Sequence, residues 1–415
     1  MARSIGRLVF DWDAAAAGAE RAPGALAFDD ETLRDGLQSA SAQRPALSER
    51  VRFLELAASL GIEAADVGMP GAGAAAAAEA GALCRAIADR RLPIVPNCAA
   101  RATEADIRPV LEIGQKLGAP VEIMLFLASS PVRGMVEGWT PAEVVARADR
   151  WVRFAVRRGA PVTFVAEDAT RTSPQALRAI VAAAVGAGAS RLCIADTVGQ
   201  ATPAGAFRVV AFARQALDEI GASGVGLDWH GHDDRGLAVA SALAAAAAGA
   251  DRLHGTALGV GERAGNAPME QLLVNARLLG WARPDLSRVM EYAAQASRMA
   301  GAAIPPGAPV VGRDAFRTAT GVHAAALVKA ERAGGRELAD LIYSAVPAAW
   351  LGRRQEIEVG PMSGAANVRA WLASRGLDAD DAVVARVLAA AKAADRTLAE
   401  EELRAAAGSP PAEPS

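Results

Sequence analysis

Short apolar runs recur along this chain at intervals of roughly 30 residues, and each ends in polar or charged side chains. They are Leu26–Leu33, Ile62–Met69, Leu92–Cys98, Val121–Leu127, Pro161–Ala166, Arg191–Asp196, Val225–His232 and Leu253–Leu258. Helical patterns lie between them. Examples are Ser48–Leu60, opened by a Ser-Glu cap signal, and Pro141–Arg158 after Thr140. A strand–helix unit repeated eight times over about 255 residues predicts an α/β fold of the (β/α)8 type, a TIM barrel. A doubly wound open sheet is the structural alternative, but it usually has fewer strands and needs a crevice where strand order reverses. Hydrophobic residues make up 52% of the 415, enough to fill such a core.

After Trp281 the pattern changes. Helical segments run to about Ala300 and a Pro/Gly-rich linker spans Ile304–Gly312. Further helical segments reach about Gly408, interrupted by Gly312–His323 and Gly352–Gly364. The expected division is an N-terminal extension over 1–24, a catalytic barrel over 25–280, a mostly helical C-terminal subdomain over 281–407 and a disordered tail over 408–415.

The formal net charge is −3 and the basic residues are scattered, so no nucleic-acid surface is expected. Cys84, Cys98 and Cys193 are odd in number and widely spaced, which points to reduced thiols in a cytosol. Cys98 and Cys193 fall inside apolar runs and read as buried structural cysteines. The stretch Met1–Ala25 lacks the apolar region of a signal peptide, and the Ala-rich helix Ala238–Ala250 is too short to span a bilayer. A soluble, cytoplasmic protein with no membrane partner is expected.

Polar residues gather at the C-terminal ends of the runs: Asp29 to Asp35, Asn97, Ser129-Ser130, Glu167-Asp168, Asp196-Thr197, His230 with His232, and Gly259–Asn266. In a barrel these ends share one face, where the chemistry of this fold occurs. The chain has four histidines, and His230 and His232 sit one residue apart. On a strand both point to the same side, as a metal site needs, although two solvated histidines at a strand end would read the same way. Asp35 from the first run adds a carboxylate to the two imidazoles, and Asn266 offers an amide oxygen. Arg34 is suited to holding a carboxylate and stabilising an enolate-like oxyanion, or to pairing with Asp35 or Glu167. Thr197 offers a hydroxyl to a substrate carboxylate. The glycine-rich loop Gly259–Asn266 reads as a place where backbone approaches a ligand. His254 reads equally as a packed barrel histidine or as support for a ligating group.

The stretches Asp30–Gln38, His230–Gly236 and Gly259–Asn266, with Thr320-Gly321-Val322-His323, resemble the signature motifs of the α-isopropylmalate synthase and homocitrate synthase family, within the DRE-TIM metallolyases. The resemblance runs from about Leu26 through the barrel into the second domain. It implies a divalent metal (Mg²⁺, Mn²⁺ or Zn²⁺) held by Asp35, His230, His232 and Asn266, with a 2-oxo acid chelating it. It gives catalytic roles to Arg34, Glu167, His323 and Tyr343, with Arg34 stabilising the acetyl-CoA enolate. It places Arg34, Thr197, Met124, Gly261 and Glu262 against substrate. It also implies that the C-terminal subdomain is a lid and dimerisation element, with His323 delivered to the partner's barrel in a homodimer. The implied reaction is a Claisen-type condensation of acetyl-CoA with a 2-oxo acid, of the isopropylmalate, homocitrate or citramalate kind. Hydroxymethylglutaryl-CoA lyases share barrel and metal but carry a cysteine in the loop after the eighth strand, and Gly259–Asn266 has none. Two departures touch the pocket. Many family members have a histidine near Met124, and the second strand end reads Asp66-Val67-Gly68-Met69-Pro70 in place of a glutamate-containing version.

Overall fold

The computed structural model describes residues 26–410. The expected N-terminal extension over 1–24, the Met1–Ala25 stretch and residues 411–415 of the expected tail lie outside the described residues. The chain separates into two compact units, one reaching to Ile304 and the other beginning at Pro305.

The first unit is a closed eight-stranded parallel barrel. Its strands are β1 (Ala27–Asp30), β2 (Ala64–Asp66), β3 (Val95–Arg101), β4 (Glu122–Ala128), β5 (Val162–Glu167), β6 (Arg191–Asp196), β7 (Gly226–Gly231) and β8 (Arg252–Gly255). Each apolar run of the sequence overlaps one strand; β6 coincides with its run, whereas β3, β4 and β5 extend past the C-terminal ends of theirs and β8 starts one residue earlier. β1 and β2 stop short because an aspartate captures the backbone two residues on. Asp30 accepts from the Thr32 N–H at 2.8 Å and Asp66 from the Gly68 N–H at 3.1 Å, which turns the chain out of the sheet. The helix expected from Ser48 is Leu47–Ser59, and its cap is the Ala46 N–H donating to Glu49 at 2.9 Å, not Ser48. Thr140 does cap Pro141–Val156, reciprocally with Glu143.

Period-2 alternation divides the strands between two environments. Asp30 leaves the barrel and accepts from the Tyr292 hydroxyl. Tyr292 stacks on Phe53 with ring centroids 4.9 Å apart. This contact places the helix Val289–Ala300 in the barrel unit, so the two units divide at 304/305 rather than 280/281. The inner face holds Asp29, Glu122, Thr163, Asp228, Arg252 and His254, all buried. Arg252 donates to Asp228 at 2.8 Å and to Glu122 at 3.0 Å, and Asn97 donates to Asp29 at 2.8 Å. Such charges stay inside only when paired in this way.

In the second unit, helices Ala365–Ala373, Asp381–Ala393 and Glu400–Ala407 surround a core that includes Trp371, Leu372, Val387 and Leu403, while the helix Gly321–Tyr343 buries Leu327, Ala330 and Ala339 in a separate cluster. Gly321–Tyr343 bends at Gly335, whose φ of 71° a side chain would resist. The two interruptions of the helical pattern supply β9 (Arg317–Thr318) and β10 (Glu356–Ile357), which pair in parallel. No helix of the described residues is long and apolar enough to cross a membrane. All three cysteines are free and buried.

Candidate metal centre and active site

Alternation along β7 and just beyond it puts Asp228, His230 and His232 on one side of the chain, stepping toward the mouth of the barrel. Asp35 enters from the turn after β1, at the start of the short helix Gly36–Gln38. His232 Nε2 lies 3.5 Å and His230 Nε2 3.8 Å from Asp35 Oδ2. Each histidine has its other nitrogen engaged: His230 Nδ1 sits 3.2 Å from Glu31, and His232 Nδ1 sits 3.2 Å from the Gly265 carbonyl. Those acceptors draw the proton to Nδ1 and leave the Nε2 lone pairs facing Asp35.

Asn266 joins this cluster through an isolated bridge between its backbone and that of His232. Its Nδ2 donates to Asp35 at 2.7 Å, while its Oδ1 is buried with no hydrogen-bond partner. Burial, and then the adjacent His230, push His232 down to about 4, so its imidazole is neutral. Burial would raise Asp35, but Arg34 and His230 hold it below the usual carboxylate range. One ionised carboxylate, two imidazoles with free Nε2 and an orphaned amide oxygen form a donor set that fits a divalent cation.

The loop 259–266 is packed closely enough to position Asn266. A Cβ on Gly261 would lie 2.0 Å from Asn266 Oδ1, and one on Gly265 would lie 1.9 Å from the Gly259 carbonyl. Arg263 straps the loop down by donating to Asp234 at 2.9 Å and to the Thr197 carbonyl at 2.7 Å.

Arg34 is held from three sides. It pairs with Glu31, with Asp66 at 2.7 Å and with Asp35 at 3.4 Å, and its side chain is 19% exposed. The expected alternative partner Glu167 does not reach it; Glu167 pairs with Arg133 at 3.1 Å because both stand on the β4–β5 side of the mouth. Burial raises the Glu167 carboxyl. Thr197 Oγ1 accepts from the Asp168 N–H at 2.9 Å and keeps its own hydrogen available. Met124 is buried two residues beyond Glu122 and shares its inner face, one step nearer the mouth. Gly261 touches Asn266, whereas Glu262 is exposed, 3.9 Å from Arg263. His323 and Tyr343 lie in the second unit at the two ends of the bent helix, with ring centroids 4.2 Å apart.

Sequence reasoning gave no role to Glu31 or Asp66, yet both grip Arg34. Their signal was position: Glu31 follows Asp29 by two residues on the inner face, and Asp66 is the one acid inside the second apolar run besides Glu63.

The family described as HMGL-like matches residues 25–295. Over 374 residues the chain is 32% identical to a probable 2-isopropylmalate synthase of Methanopyrus kandleri, covering 88% of this chain and 70% of that protein. Over 371 residues it is 30% identical to a homocitrate synthase of the same organism, covering 88% of this chain and 86% of that one. Among solved structures, the HMG-CoA lyase of Bacillus subtilis superposes with a TM-score of 0.56 at 18% identity, covering 68% of this chain and 96% of that one. At that identity the likeness speaks for the fold.

Proposed function

The chain belongs to the HMGL-like family, and on that premise we propose that it condenses acetyl-CoA with a 2-oxo acid, with 2-oxoisovalerate as the first choice and 2-isopropylmalate as product. The observation that carries the reading is the meeting of Asp35, His230 and His232 beside Arg34 at one end of the barrel. Asp35, His230, His232 and Asn266 would hold a divalent metal, Mg²⁺, Mn²⁺ or Zn²⁺. Bound there, the metal supplies Lewis acidity toward the ketone of the 2-oxo acid.

The side chains supply the rest. Arg34, pinned by Glu31, Asp66 and Asp35, offers fixed donors where negative charge builds on the thioester oxygen. Thr197 donates its free hydroxyl hydrogen to the substrate carboxylate. Glu167 and Met124 line the pocket, and Met124 gives it an apolar wall suited to a branched alkyl group. The resemblance assigns proton transfer to His323, with Tyr343 beside it. A base takes a methyl proton from acetyl-CoA, and the methyl carbon bonds to the keto carbon. The resulting alkoxide takes a proton. Water then cleaves the C–S bond, giving free CoA and a second carboxylate. The reading includes a cytoplasmic homodimer.

A homocitrate reaction on 2-oxoglutarate is the second reading, favoured by the 30% identity to a homocitrate synthase. A free-CoA release assay with acetyl-CoA against 2-oxoisovalerate, 2-oxoglutarate, pyruvate and oxaloacetate tests both. The fastest release is expected with 2-oxoisovalerate. Preference for 2-oxoglutarate transfers the assignment to the second reading, and no release with any acid defeats condensation.

A further inference from the structure

His254 stands on β8 two residues from Arg252, so both enter the barrel interior. Its side chain is fully buried, and each ring nitrogen faces a carboxylate. Nδ1 is 2.7 Å from Glu31; Nε2 is 3.2 Å from Asp228 and 3.9 Å from Asp29. A neutral imidazole donates from one nitrogen only, so two carboxylate partners call for the doubly protonated ring.

The two carboxylates differ in what they hold. Asp228 is anchored below by Arg252 and Arg191, each at 2.8 Å. Glu31 reaches upward: besides His254 it takes His230 Nδ1 and Arg34. One carboxylate therefore touches both a metal-cluster histidine and the guanidinium beside it. We propose that His254 is a positioning residue, locking Glu31 in the place that sets the ring orientation of His230 and the plane of Arg34. This rests on the metal-centre reading above. It adds that the interior charges of the barrel serve the site through a single imidazole. A histidine that merely neutralises Asp228 would leave His230 and Arg34 indifferent to it.

Two measurements on the full-length chain test the idea. In metal-free wild-type protein labelled with ¹⁵N-histidine, the four histidines are assigned by single His→Gln substitutions. His254 is expected to carry two protons at neutral pH, and His230 to carry its proton on Nδ1. A neutral His254, or a His230 protonated on Nε2, overturns the proposal. In calorimetric Mn²⁺ titrations, His254→Gln is expected to weaken binding by about 10–100-fold. Glu31→Gln should weaken it similarly, and the double variant should be no worse than Glu31→Gln. Unchanged Mn²⁺ affinity in a folded His254→Gln, or losses that multiply in the double variant, removes the positioning role. Wild-type protein that takes up no Mn²⁺ instead sinks the metal reading itself.

Discussion

Asn266 donates its amide nitrogen to Asp35 Oδ2 at 2.7 Å across 231 residues of sequence, and its own Oδ1 is buried with no hydrogen-bond partner. An unmet buried acceptor costs about 1–3 kcal/mol, so the site is built to have that oxygen engaged. The free Nε2 atoms of His230 and His232 face the same Asp35 oxygen. A bound cation would satisfy all of these acceptors.

Metal binding should therefore show as stability. Mn²⁺ at 100 times its dissociation constant contributes about 2.7 kcal/mol. At about 2.1 cal/mol/K of unfolding entropy per residue, that raises the Tm of a 415-residue chain by roughly 3 °C. His232→Ala should abolish the shift and the metal-dependent turnover while leaving the far-ultraviolet circular dichroism unchanged. A scan with and without Mn²⁺ checks this, and a variant that keeps the full shift excludes His232 from the ligand set.

Gly261→Ala should damage the same centre without replacing a ligand. The new Cβ would sit 2.0 Å from Asn266 Oδ1, so the amide must leave its place. Mn²⁺ affinity is expected to fall at least ~10-fold, as when a ligand loses its support. Gly224→Ala is the control, since its Cβ would meet nothing within 4 Å. Equal calorimetric affinities for the two variants would remove the loop's positioning role.

Arg34→Lys should lower kcat by about 10²–10³-fold, the usual effect of losing a donor to a developing oxyanion. A lysine keeps the charge but cannot face Glu31, Asp66 and Asp35 with one rigid fork. KM for the 2-oxo acid should change much less, because the lost interaction belongs to the transition state. Steady-state kinetics reads the split, and a variant with raised KM and normal kcat points to ground-state binding instead.

The barrel was legible because its two signals are local. Apolar runs fix where strands lie, and alternation places His230 with His232 before any contact is known. Of the partners of Arg34, Asp35 was legible as its neighbour, but Asp66 was not, because that pair depends on which strand ends meet. Asp66 lies 32 residues away on β2 and reaches the guanidinium, whereas Glu167 on β5 is taken by Arg133. The role of Val289–Ala300 was hidden for a similar reason. Its helical period is ordinary, and long-range contacts such as Tyr292 with Phe53 and Asp30 tie it to the barrel. Pairing of β9 with β10 rests on two-residue strands, too short to show a period.

Glu270 offers a pH test independent of the metal. It is buried at the start of the helix Met269–Leu278 and accepts from the Leu258 N–H at 2.9 Å. Leu258 itself has a φ of 59°, a strained conformation that this bond helps to hold. Burial pushes the Glu270 carboxyl up to about 7, from 4.5 when unshifted. Between those values the native state keeps the proton and the unfolded chain has lost it. Stability therefore falls as pH rises through this window and levels off above about 7. Glu270→Gln retains an acceptor for Leu258 but cannot ionise, so its stability should lack this loss. Relative to wild type, the variant should gain stability on going from pH 4.5 to pH 8, by something on the order of 3 kcal/mol. Urea unfolding of both proteins across that range measures the gap directly. Any fixed cost of the amide cancels in the comparison, so a gap that stays flat with pH means that Glu270 is already ionised in the folded protein.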